Sequence, residues 1–346
     1  MSKKVYVGLS GGVDSSVTAA VLKEQGYDVT GVYMKNWSQD IPGFECPWKE
    51  DYKDAKRVAV QLDIPFKMYD FENEYRQKVV DYMISEYKSG RTPNPDIMCN
   101  QEIKFKLFLE TALADGADKI ATGHYARVDN GRLFIAKYKE KDQTYFLYRV
   151  SEEALKRTIM PIGDFNSKDE VRSIASEFGL VTADKKDSQG ICFVGKVGIK
   201  EFLQQYVKTI PGKVIDSYGK VVGQHEGAIF YTIGQRHGLD IGGGMPFYVI
   251  GKNMDKNEVY VTTNIDDSEL WRSELKLTDF HWINNKPKVN KLSIRTRYRS
   301  VLTECSIEDE DKTLLVKLSN EVRAVTPGQS AVFYSDQECL GGGIIV

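Results

Sequence analysis

The chain has 346 residues, a length that predicts two or three domains. Its composition, 41% hydrophobic and 28% charged, is ordinary for a globular protein in water. A net charge of -2 argues against a surface that is basic throughout, so any nucleic-acid role must depend on a local basic patch.

Five cysteines are widely scattered, and none belongs to a CxxC pair: Cys46, Cys99, Cys192, Cys305 and Cys339. Their odd number and spacing argue against a disulfide framework and against a zinc ribbon. We therefore expect thiols in a reducing compartment, the cytoplasm. No apolar run approaches the roughly 20 residues of a membrane span, and the N-terminus leads into a strand pattern, so we expect no membrane association and no cleaved signal.

The first part of the chain alternates between strand and helix patterns. Residues 5–9 predict a buried strand, a glycine loop follows, and a helical repeat from Val17 stops near Gly26. Residues 29–34 predict a second strand. This order is that of a βαβ unit with a parallel sheet, and the alternation continues, which predicts an α/β domain over residues 1–206.

Later helices are indicated by apolar residues three and four apart, beginning near Ala55, Tyr75 and Phe105. Ser167 and Glu170 predict a capping box at the start of another helix. From about residue 207, short β-prone runs alternate with Gly, Asn and Asp turns. This change predicts a small β-rich central domain at 207–270 and a C-terminal β-barrel or sandwich at 271–346, of which we expect the barrel.

The glycine loop reads "LSGGVDSS" and lacks the lysine of a Walker A loop. Gly11 and Gly12 let the backbone turn closely around an anion, and the following helix offers free N–H groups and a positive dipole end. Asp14 would repel phosphate unless Mg²⁺ lay between them. The plain alternative is a tight turn with a capping Asp or Ser. The full string resembles the loop of ATP pyrophosphatases that adenylate a carbonyl oxygen.

Two cysteines lie in segments with unusual surroundings. Cys99 follows "PNPDIM" directly before a helical pattern, where a helix dipole can lower a thiol pKa, and Asp96 could shuttle a proton. Cys192 lies in "KKDSQGICFVGK", between two glycines, which is typical of a loop. The plain reading of each cysteine alone is a small buried apolar residue, and we leave Cys46, Cys305 and Cys339 under that reading.

Ten motifs together resemble the tRNA-specific 2-thiouridylases of the PP-loop ATP pyrophosphatase superfamily. In order they are "GLSGGVDSS", "MKNW", "GRTPNPDIMCN", "IKF", "ATGHYAR", "KDQTYFLY", "KKDSQGICFVG", "YTIGQR", "RTRYR" and "TPGQSAVFY". The resemblance covers essentially the whole chain. It implies a PP-loop (adenine nucleotide alpha hydrolase-like) domain, a small central domain and a tRNA-binding barrel.

The resemblance also implies roles for individual residues. ATP, with Mg²⁺, would be bound by Gly8, Leu9, Ser10, Gly11, Gly12, Val13, Asp14, Ser15, Met34 and Gly123. The target base would meet Asn94, Pro95 and Asp96. Other tRNA contacts would come from His124, Lys141, Asp142, Gln143, Arg297, Tyr298 and Gln329. No metal ligand set is implied.

The implied reaction places sulfur on C2 of the wobble uridine of tRNA. ATP would adenylate the C2 oxygen, Cys192 would carry a persulfide, and Cys99 would be the nucleophile. The persulfide attacks C2 directly, or Cys99 first releases hydrosulfide; both routes end in a Cys99–Cys192 disulfide, and the sequence does not choose between them. A sulfur-relay protein or a cysteine desulfurase is the implied donor, and we expect a monomer.

A stripe of arginines in "SIRTRYRS" predicts where tRNA phosphates would lie. Strand alternation would put Arg295, Arg297 and Arg299 on one face. The alternative is an ordinary solvated strand face. His124 by itself would more often be a structural histidine, and only its motif favours a functional role.

Two other functions fit parts of the pattern. An amide-forming synthetase with the same loop would need no paired cysteines. A nucleotide-dependent RNA-binding module would bind tRNA without cleaving ATP.

Overall fold

The N-terminal region is built on a parallel five-stranded sheet. The computed structural model describes residues 2–40, 45–186, 198–239, 241–242, 244–287 and 292–346. In spatial order the strands are β3 (Phe66–Asp70), β2 (Asp28–Lys35), β1 (Lys4–Gly8), β4 (Lys119–Ala121) and β7 (Thr158–Ile159). The neighbouring strands pair in parallel, as the βαβ pattern predicts.

Helices cover both faces of this sheet. They are α1 (Val13–Glu24), α2 (Trp48–Gln61), α3 (Glu72–Tyr75), α4 (Asp81–Lys88), α5 (Pro95–Met98), α6 (Phe108–Ala114), α7 (Glu152–Lys156), α8 (Lys168–Glu177) and α9 (Ile199–Leu203). Wider π-helical turns join α3 to α4 over Arg76–Val80 and α5 to α6 over Cys99–Leu107. Alternate residues of β1 serve the two faces: Val5 and Val7 pack with α1 and α2, whereas Tyr6 packs with the α5–α6 helix.

The helix that carries Cys99 begins earlier than the sequence pattern predicts. Asn94 is its N-cap and accepts a hydrogen bond from Asp96 N at 3.1 Å, and Pro95 occupies the first helical position. The expectation that the helix begins directly after Cys99 is therefore wrong: Pro95 is a helix-start signal, and Cys99 lies one turn inside the helix.

The predicted capping box of α8 is half formed. Ser167 Oγ accepts from Glu170 N at 3.1 Å, as expected. Glu170 Oε2 instead accepts from Asn166 N at 2.7 Å, one residue before the position of a standard box.

The central region is a four-stranded sheet in the order β10-β11-β8-β9. The strands are β8 (Gly212–Asp216), β9 (Val221–His225), β10 (Tyr248–Asn253) and β11 (Glu258–Thr262). β8 and β11 pair in parallel and the other neighbours are antiparallel. Val214, Val249, Val259 and Val261 are fully buried and form its small core.

The C-terminal region is a closed antiparallel barrel, as expected. Its strands are β12 (Trp271–Trp282), β15 (Thr313–Arg323), β14 (Thr303–Glu310), β13 (Leu292–Arg295), β16 (Ser330–Ser335) and β17 (Glu338–Ile345), and β17 closes onto β12. Closure leaves no free edge among these six strands.

A hairpin from the N-terminal region continues the barrel sheet. β5 (Ala126–Asp129) and β6 (Arg132–Ile135) attach to β17 through Phe134 with Glu338 and Leu133 with Cys339. Leu133 and Cys339 also share one buried core cluster. Sheet and core are thus continuous between the N-terminal region and the barrel.

The predicted arginine stripe does not form. β13 ends at Arg295, and Arg299 has a positive φ of 62° in the turn that follows. The three arginines therefore do not share a strand face, because alternation ends with the strand. Across the described residues, no helix is long and apolar enough to cross a membrane.

Candidate active site and tRNA interface

The glycine loop leaves the N-terminus of α1 open to a ligand. The N-cap is Gly12, which makes no side-chain capping hydrogen bond, and none to the first turn is found from the other residues that the structure describes. The serines bind the loop itself: Ser10 N donates to Ser15 Oγ at 3.1 Å, and Ser16 Oγ donates to Gly12 O at 2.8 Å. The alternative of a turn capped by Asp or Ser is thus not what is observed. The unpaired N–H groups and the helix dipole favour an anion at this end.

Residues from three separate strands come together at this loop. Gly8, at the end of β1, lies against Met34 of β2, because a Cβ at Gly8 would be 3.0 Å from Met34 Cε. Gly123, just beyond β4, touches the first turn of α1, where a Cβ would be 2.7 Å from Ser15 N. Gly8, Met34, Gly123 and Ser15 are therefore neighbours at the carboxyl ends of adjacent parallel strands, the usual ligand edge of such sheets.

Asp14 is neutralised by two side chains that the sequence pattern did not single out. Lys168 Nζ donates to Asp14 Oδ1 at 2.7 Å, and Tyr125 OH donates to the same oxygen at 2.8 Å. Lys168 is the first residue of α8, and its ammonium also lies 5.7 Å from the centre of the Tyr125 ring. The repulsion between Asp14 and phosphate is thus offset by a protein cation.

The Cys99 helix passes beside the loop. Phe108 lies 3.6 Å from the Cβ position of Gly8, and the Phe105 ring centre is 5.5 Å from that of His124. Phe108 follows Cys99 by nine residues, which at the α-helical rise would be about 13 Å along the axis and is less in these wider π-helical turns. Cys99 itself is 1% exposed within the N-terminal core. Its thiol is reached only after neighbouring side chains move.

Asp96 and Cys99 are three residues apart in the helix and therefore neighbours on one face. Asn94 and Asp96 are half-buried, and Pro95 is buried. The three residues expected at the target base thus lie one turn ahead of the thiol.

Cys192 lies outside the described residues, together with most of its motif. The chain leading to it is held beside the glycine loop. Lys185 Nζ binds Asp51 at 2.9 Å and Asp54 at 2.8 Å, and the backbone of Asp51 lies against Gly11, where a Cβ would meet Asp51 O at 2.5 Å. Arg172 of α8 donates to the carbonyl of Lys185 at 2.8 Å. Although burial opposes the charge of Lys185, its hydrogen bonds to Asp54 and Asp51 raise its pKa.

The other described cysteines have features of inert thiols. Cys46, Cys305 and Cys339 are free. Burial raises the pKa of the Cys46 thiol, raises that of Cys305 to about 12, and raises that of Cys339 strongly. Little thiolate forms at these positions near neutral pH.

His124 is a buried, neutral group next to the loop. Its Nδ1 lies 2.9 Å from Thr122 Oγ1. Burial and the nearby charge of Lys104 hold the pKa of His124 well below its ordinary value. The imidazole can therefore offer a neutral hydrogen-bonding group but no positive charge.

Lys141 and Asp142 of the "KDQ" motif border a cleft of about 470 Å³, whose other lining residues are Tyr138, Lys139, Glu140, Arg295 and Arg299. Asp142 is 2% exposed and accepts hydrogen bonds from Ala136 N at 3.0 Å and Thr144 Oγ1 at 2.8 Å, with Arg295 at 3.3 Å. Burial raises the pKa of Asp142, against these contacts. The carboxylate faces protein, and Lys141 is the half-buried cation beside it.

Gln143 and Tyr298 are also engaged within the protein. Gln143 Oε1 accepts from Tyr125 N at 2.9 Å, next to the Tyr125 that binds Asp14. Tyr298 packs on Phe146 with ring centres 4.5 Å apart, and the Arg299 guanidinium lies 5.1 Å from the Tyr298 ring.

A second cleft of about 300 Å³ is lined by Thr232, Ile233, Gly234, Gln235, Arg297 and Gln329. Arg297 donates to Ile233 O at 2.8 Å and to Ala324 O at 2.7 Å, so its guanidinium joins the central region to the barrel. Gln329 donates to Thr92 O at 2.8 Å.

The structure thus places the expected residues that it describes at four places: the loop, the start of the Cys99 helix, and in or beside each of the two clefts. It adds Lys168, Tyr125 and Lys185, which sequence reasoning missed. The only signal for Lys168 was its position after the Ser167 cap; nothing local linked it to Asp14, 154 positions earlier.

Three family models match the chain in succession. A tRNA methyl transferase HUP domain matches residues 3–196, a tRNA methyl transferase PRC-barrel domain matches residues 200–263, and an aminomethyltransferase beta-barrel domain matches residues 272–345.

Curated relatives match over nearly the full length. The tRNA-specific 2-thiouridylase MnmA of Listeria monocytogenes is 49% identical over 350 residues, covering 99% of this chain and 94% of the relative. That of Limosilactobacillus reuteri is 48% identical over 358 residues, with 99% and 95% covered.

Among solved structures, a 4-thiouridine synthetase in complex with RNA and bound ATP aligns at 20% identity and a TM-score of 0.38, covering 59% of this chain and 50% of that one. The identity to the curated relatives, spread over the whole chain, decides against both an amide-forming synthetase and a non-enzymatic binding module. The chain belongs to the tRNA-specific 2-thiouridylase family and is a tRNA-modifying sulfurtransferase.

Proposed function

We propose that this enzyme adenylates the C2 oxygen of the wobble uridine in tRNA and replaces that oxygen with sulfur carried by Cys192. The observation that carries the proposal is the open N-terminus of α1, with the Cys99 helix packed beside it through Phe108 at Gly8. The first feature suits ATP phosphates, and the second holds a thiol within reach of the same edge of the sheet.

ATP binding falls to the loop from Gly8 to Ser15. Its unpaired N–H groups would receive the phosphates, and Lys168 would add the positive charge that Asp14 otherwise removes. Gly123 and Met34 form the adjoining surface for the nucleotide. When the uridine O2 attacks the α-phosphorus, a P–O bond forms, the bond to the β-phosphate breaks, and pyrophosphate leaves.

Mg²⁺ would enter with ATP rather than occupy a protein cage. The described residues include no group of three or more His, Cys, Asp or Glu side chains that could hold a metal. Asp14, the acidic residue of the loop, is bound to Lys168 and Tyr125. Mg²⁺ commonly binds substrate phosphates and water with few protein ligands, and such a site fits these residues.

Sulfur transfer falls to Cys192 and Cys99. The persulfide sulfur bonds to C2, and AMP leaves with the former O2. Cys99 then attacks Sγ of Cys192, the bond between Sγ and the transferred sulfur breaks, 2-thiouridine leaves, and a Cys99–Cys192 disulfide remains. In the other route Cys99 makes the same attack first, and the hydrosulfide that leaves bonds to C2. Asp96, one turn from Cys99, would take or return the proton. A thiol reductant resets the disulfide, and a sulfur-relay protein or cysteine desulfurase reloads Cys192.

The tRNA would lie across the two clefts. Lys141 and Arg299 offer cations for phosphates at the first cleft, and Arg297 with Gln329 borders the second. The anticodon loop can present a splayed uridine to Asn94, Pro95 and Asp96 at modest unstacking cost. Asp142 and Gln143 would act by holding the loop that carries Lys141. We further propose a cytoplasmic monomer.

Replacing Cys99 or Cys192 with Ala tests this assignment. Each variant should lose at least about 100-fold in 2-thiouridine formation, measured by mass spectrometry of digested tRNA. Each should still release pyrophosphate in the first turnover with tRNA and ATP, because adenylation precedes sulfur transfer.

The matched control is Cys46→Ala, since this thiol is half-buried and its pKa is raised. It should keep thiolation within about twofold. Unchanged thiolation in Cys99→Ala or Cys192→Ala would contradict the proposed role of that cysteine in sulfur transfer.

A further inference from the structure

The backbone of Thr92, two residues before the N-cap of the Cys99 helix, is bound by distant parts of the chain. Thr92 N donates to Pro327 O at 2.9 Å, and Gln329 Nε2 donates to Thr92 O at 2.8 Å and to Pro93 O at 3.4 Å. Thr92 Oγ1 lies 3.2 Å from Thr232 Oγ1 of the central region. Both peptide groups of this residue are therefore bound by the barrel.

The barrel residues around Gln329 are themselves fixed by hydrogen bonds. Gln329 N donates to Thr326 O at 3.1 Å, and Ile345 N of β17 donates to Gln329 O at 2.9 Å. Arg297 donates to Thr326 Oγ1 at 3.1 Å as well as to two carbonyls. The Gln329 carboxamide therefore extends from a rigid frame, as a residue that positions another group requires.

We propose that Gln329 is a positioning residue for the thiolation reaction: its carboxamide fixes the Thr92 carbonyl and thereby the start of the Cys99 helix. The proposal rests on the proposed function, in which Cys99 reacts. It differs from a tRNA contact, the role that family resemblance implies for Gln329. The amide donates to protein carbonyls before any tRNA arrives.

The short segment between Thr92 and the Cys99 helix couples the position of Thr92 to the start of that helix. Pro93 and Pro95 have φ fixed near −65°, so few soft torsions separate Thr92 from the helix. Asn94 caps the first turn through Asp96 N. A shift at Thr92 therefore moves the cap, and loss of the cap lets the first turn fray. Cys99, now 1% exposed, would then become accessible.

Alkylation of Cys99 by iodoacetamide, followed by peptide mass spectrometry without ATP or tRNA, tests the proposal. Gln329→Ala should speed alkylation of Cys99 about three- to tenfold, the size expected for one lost hydrogen bond. Gln329→Glu keeps the shape but turns an oxygen toward the Thr92 and Pro93 carbonyls, so it should be at least as fast. Both variants should lower kcat for thiolation, measured at saturating tRNA, by a similar factor.

Gln337→Ala is the matched control, because Gln337 also joins the barrel to the N-terminal region, through Arg127 at 2.7 Å, away from Thr92. It should leave Cys99 alkylation unchanged. Cys46 provides an internal control for general loosening.

Unchanged Cys99 alkylation in Gln329→Ala would overturn the proposal, and a weakened Kd for tRNA beside it would assign Gln329 to tRNA contact. Equal acceleration at Cys46 and Cys99 would also overturn it. Since alkylation needs neither ATP nor tRNA, failure of the thiolation mechanism would leave this result intact.

Discussion

At the scale of single residues, the most consequential contact is the ion pair between Lys168 and Asp14. Their charges cancel at the mouth of the glycine loop, where ATP phosphates would bring further negative charge. Without Lys168, Asp14 would repel the ligand that the loop is built to hold. The pair is partly buried, with side-chain exposures of 13% and 30%, so solvent screens it only in part.

Lys168→Met should raise KM for ATP about 10- to 100-fold, as expected for a lost charge-assisted hydrogen bond, and leave KM for tRNA within about twofold. Steady-state pyrophosphate release measures both constants. Because the defect comes from an unopposed Asp14, adding Asp14→Asn to Lys168→Met should recover part of the ATP affinity.

Lys156→Met is the control, since Lys156 pairs with Glu152 and Glu153 on an exposed helix. An unchanged KM for ATP in Lys168→Met would rule out this role for the lysine.

Burial of His124 makes the stability of the fold depend on pH. Its folded-state pKa is well below 6.5, because burial and Lys104 oppose the charged form, whereas the unfolded chain titrates near 6.5. As pH falls below 6.5 the unfolded chain binds the proton and the folded chain does not, so stability is lost on acidification. By pH 5 this histidine alone costs up to about 2 kcal/mol.

Unfolding by urea at pH 7 and pH 5 measures the effect. Wild type should lose more stability across this interval than His124→Asn does, and His237→Asn, at an exposed position, is the control for a histidine substitution. An equal pH slope in His124→Asn and wild type would mean that His124 is protonated in the fold.

At the scale of elements, the loop depends on how closely β4 approaches α1. Gly123 follows β4, and its missing side chain lets the chain pass the first turn of α1 beside Ser15. Gly123→Ala would bring a Cβ within 2.7 Å of Ser15 N, and backbone atoms on both sides would have to move.

We expect Gly123→Ala to lower the free energy of unfolding by about 1–3 kcal/mol and to weaken ATP binding at least tenfold. Calorimetric titration with ATP and chemical unfolding provide the two measurements. Gly242→Ala is the control, since an added Cβ there would meet nothing within 4 Å. Full ATP affinity in Gly123→Ala would show that the loop tolerates displacement.

At the scale of the whole molecule, tRNA binding has to come from a local surface, because the net charge is only -2. The cleft beside Lys139, Lys141 and Arg299 is the best candidate. Its cations would release counterions from tRNA phosphates, so the Kd should rise with salt concentration.

Lys141→Ala should weaken tRNA binding and reduce the slope of log Kd against log salt concentration by about one. Fluorescence anisotropy at salt concentrations from about 50 to about 300 mM, which bracket the physiological value, measures this slope. Lys220→Ala, at an exposed turn between β8 and β9, should leave the slope unchanged. A wild-type Kd for tRNA that does not change with salt concentration would exclude an interface dominated by phosphate contacts.

The order of strands, loop and helices could be predicted from sequence because each depends on periodicity over a few neighbouring residues. Helix ends were less predictable. Pro95 is typical of a helix start and also of a turn, and only the hydrogen bond from Asp96 N to the Asn94 side chain shows that a helix begins here. The arginine stripe failed for the same reason, since alternation does not reveal where β13 ends.

By itself, the sequence determined the α/β then β-rich architecture, the glycine loop and, through motifs spread along the chain, the family. The tertiary structure decided which residues meet: Lys168 with Asp14, Gln329 with Thr92, and Asp142 with Arg295. Each pair is separated by more than 150 positions, and no local pattern encodes such a contact. Such a contact forms only when packing within the N-terminal region, or between that region and the barrel, brings the two residues within hydrogen-bonding distance.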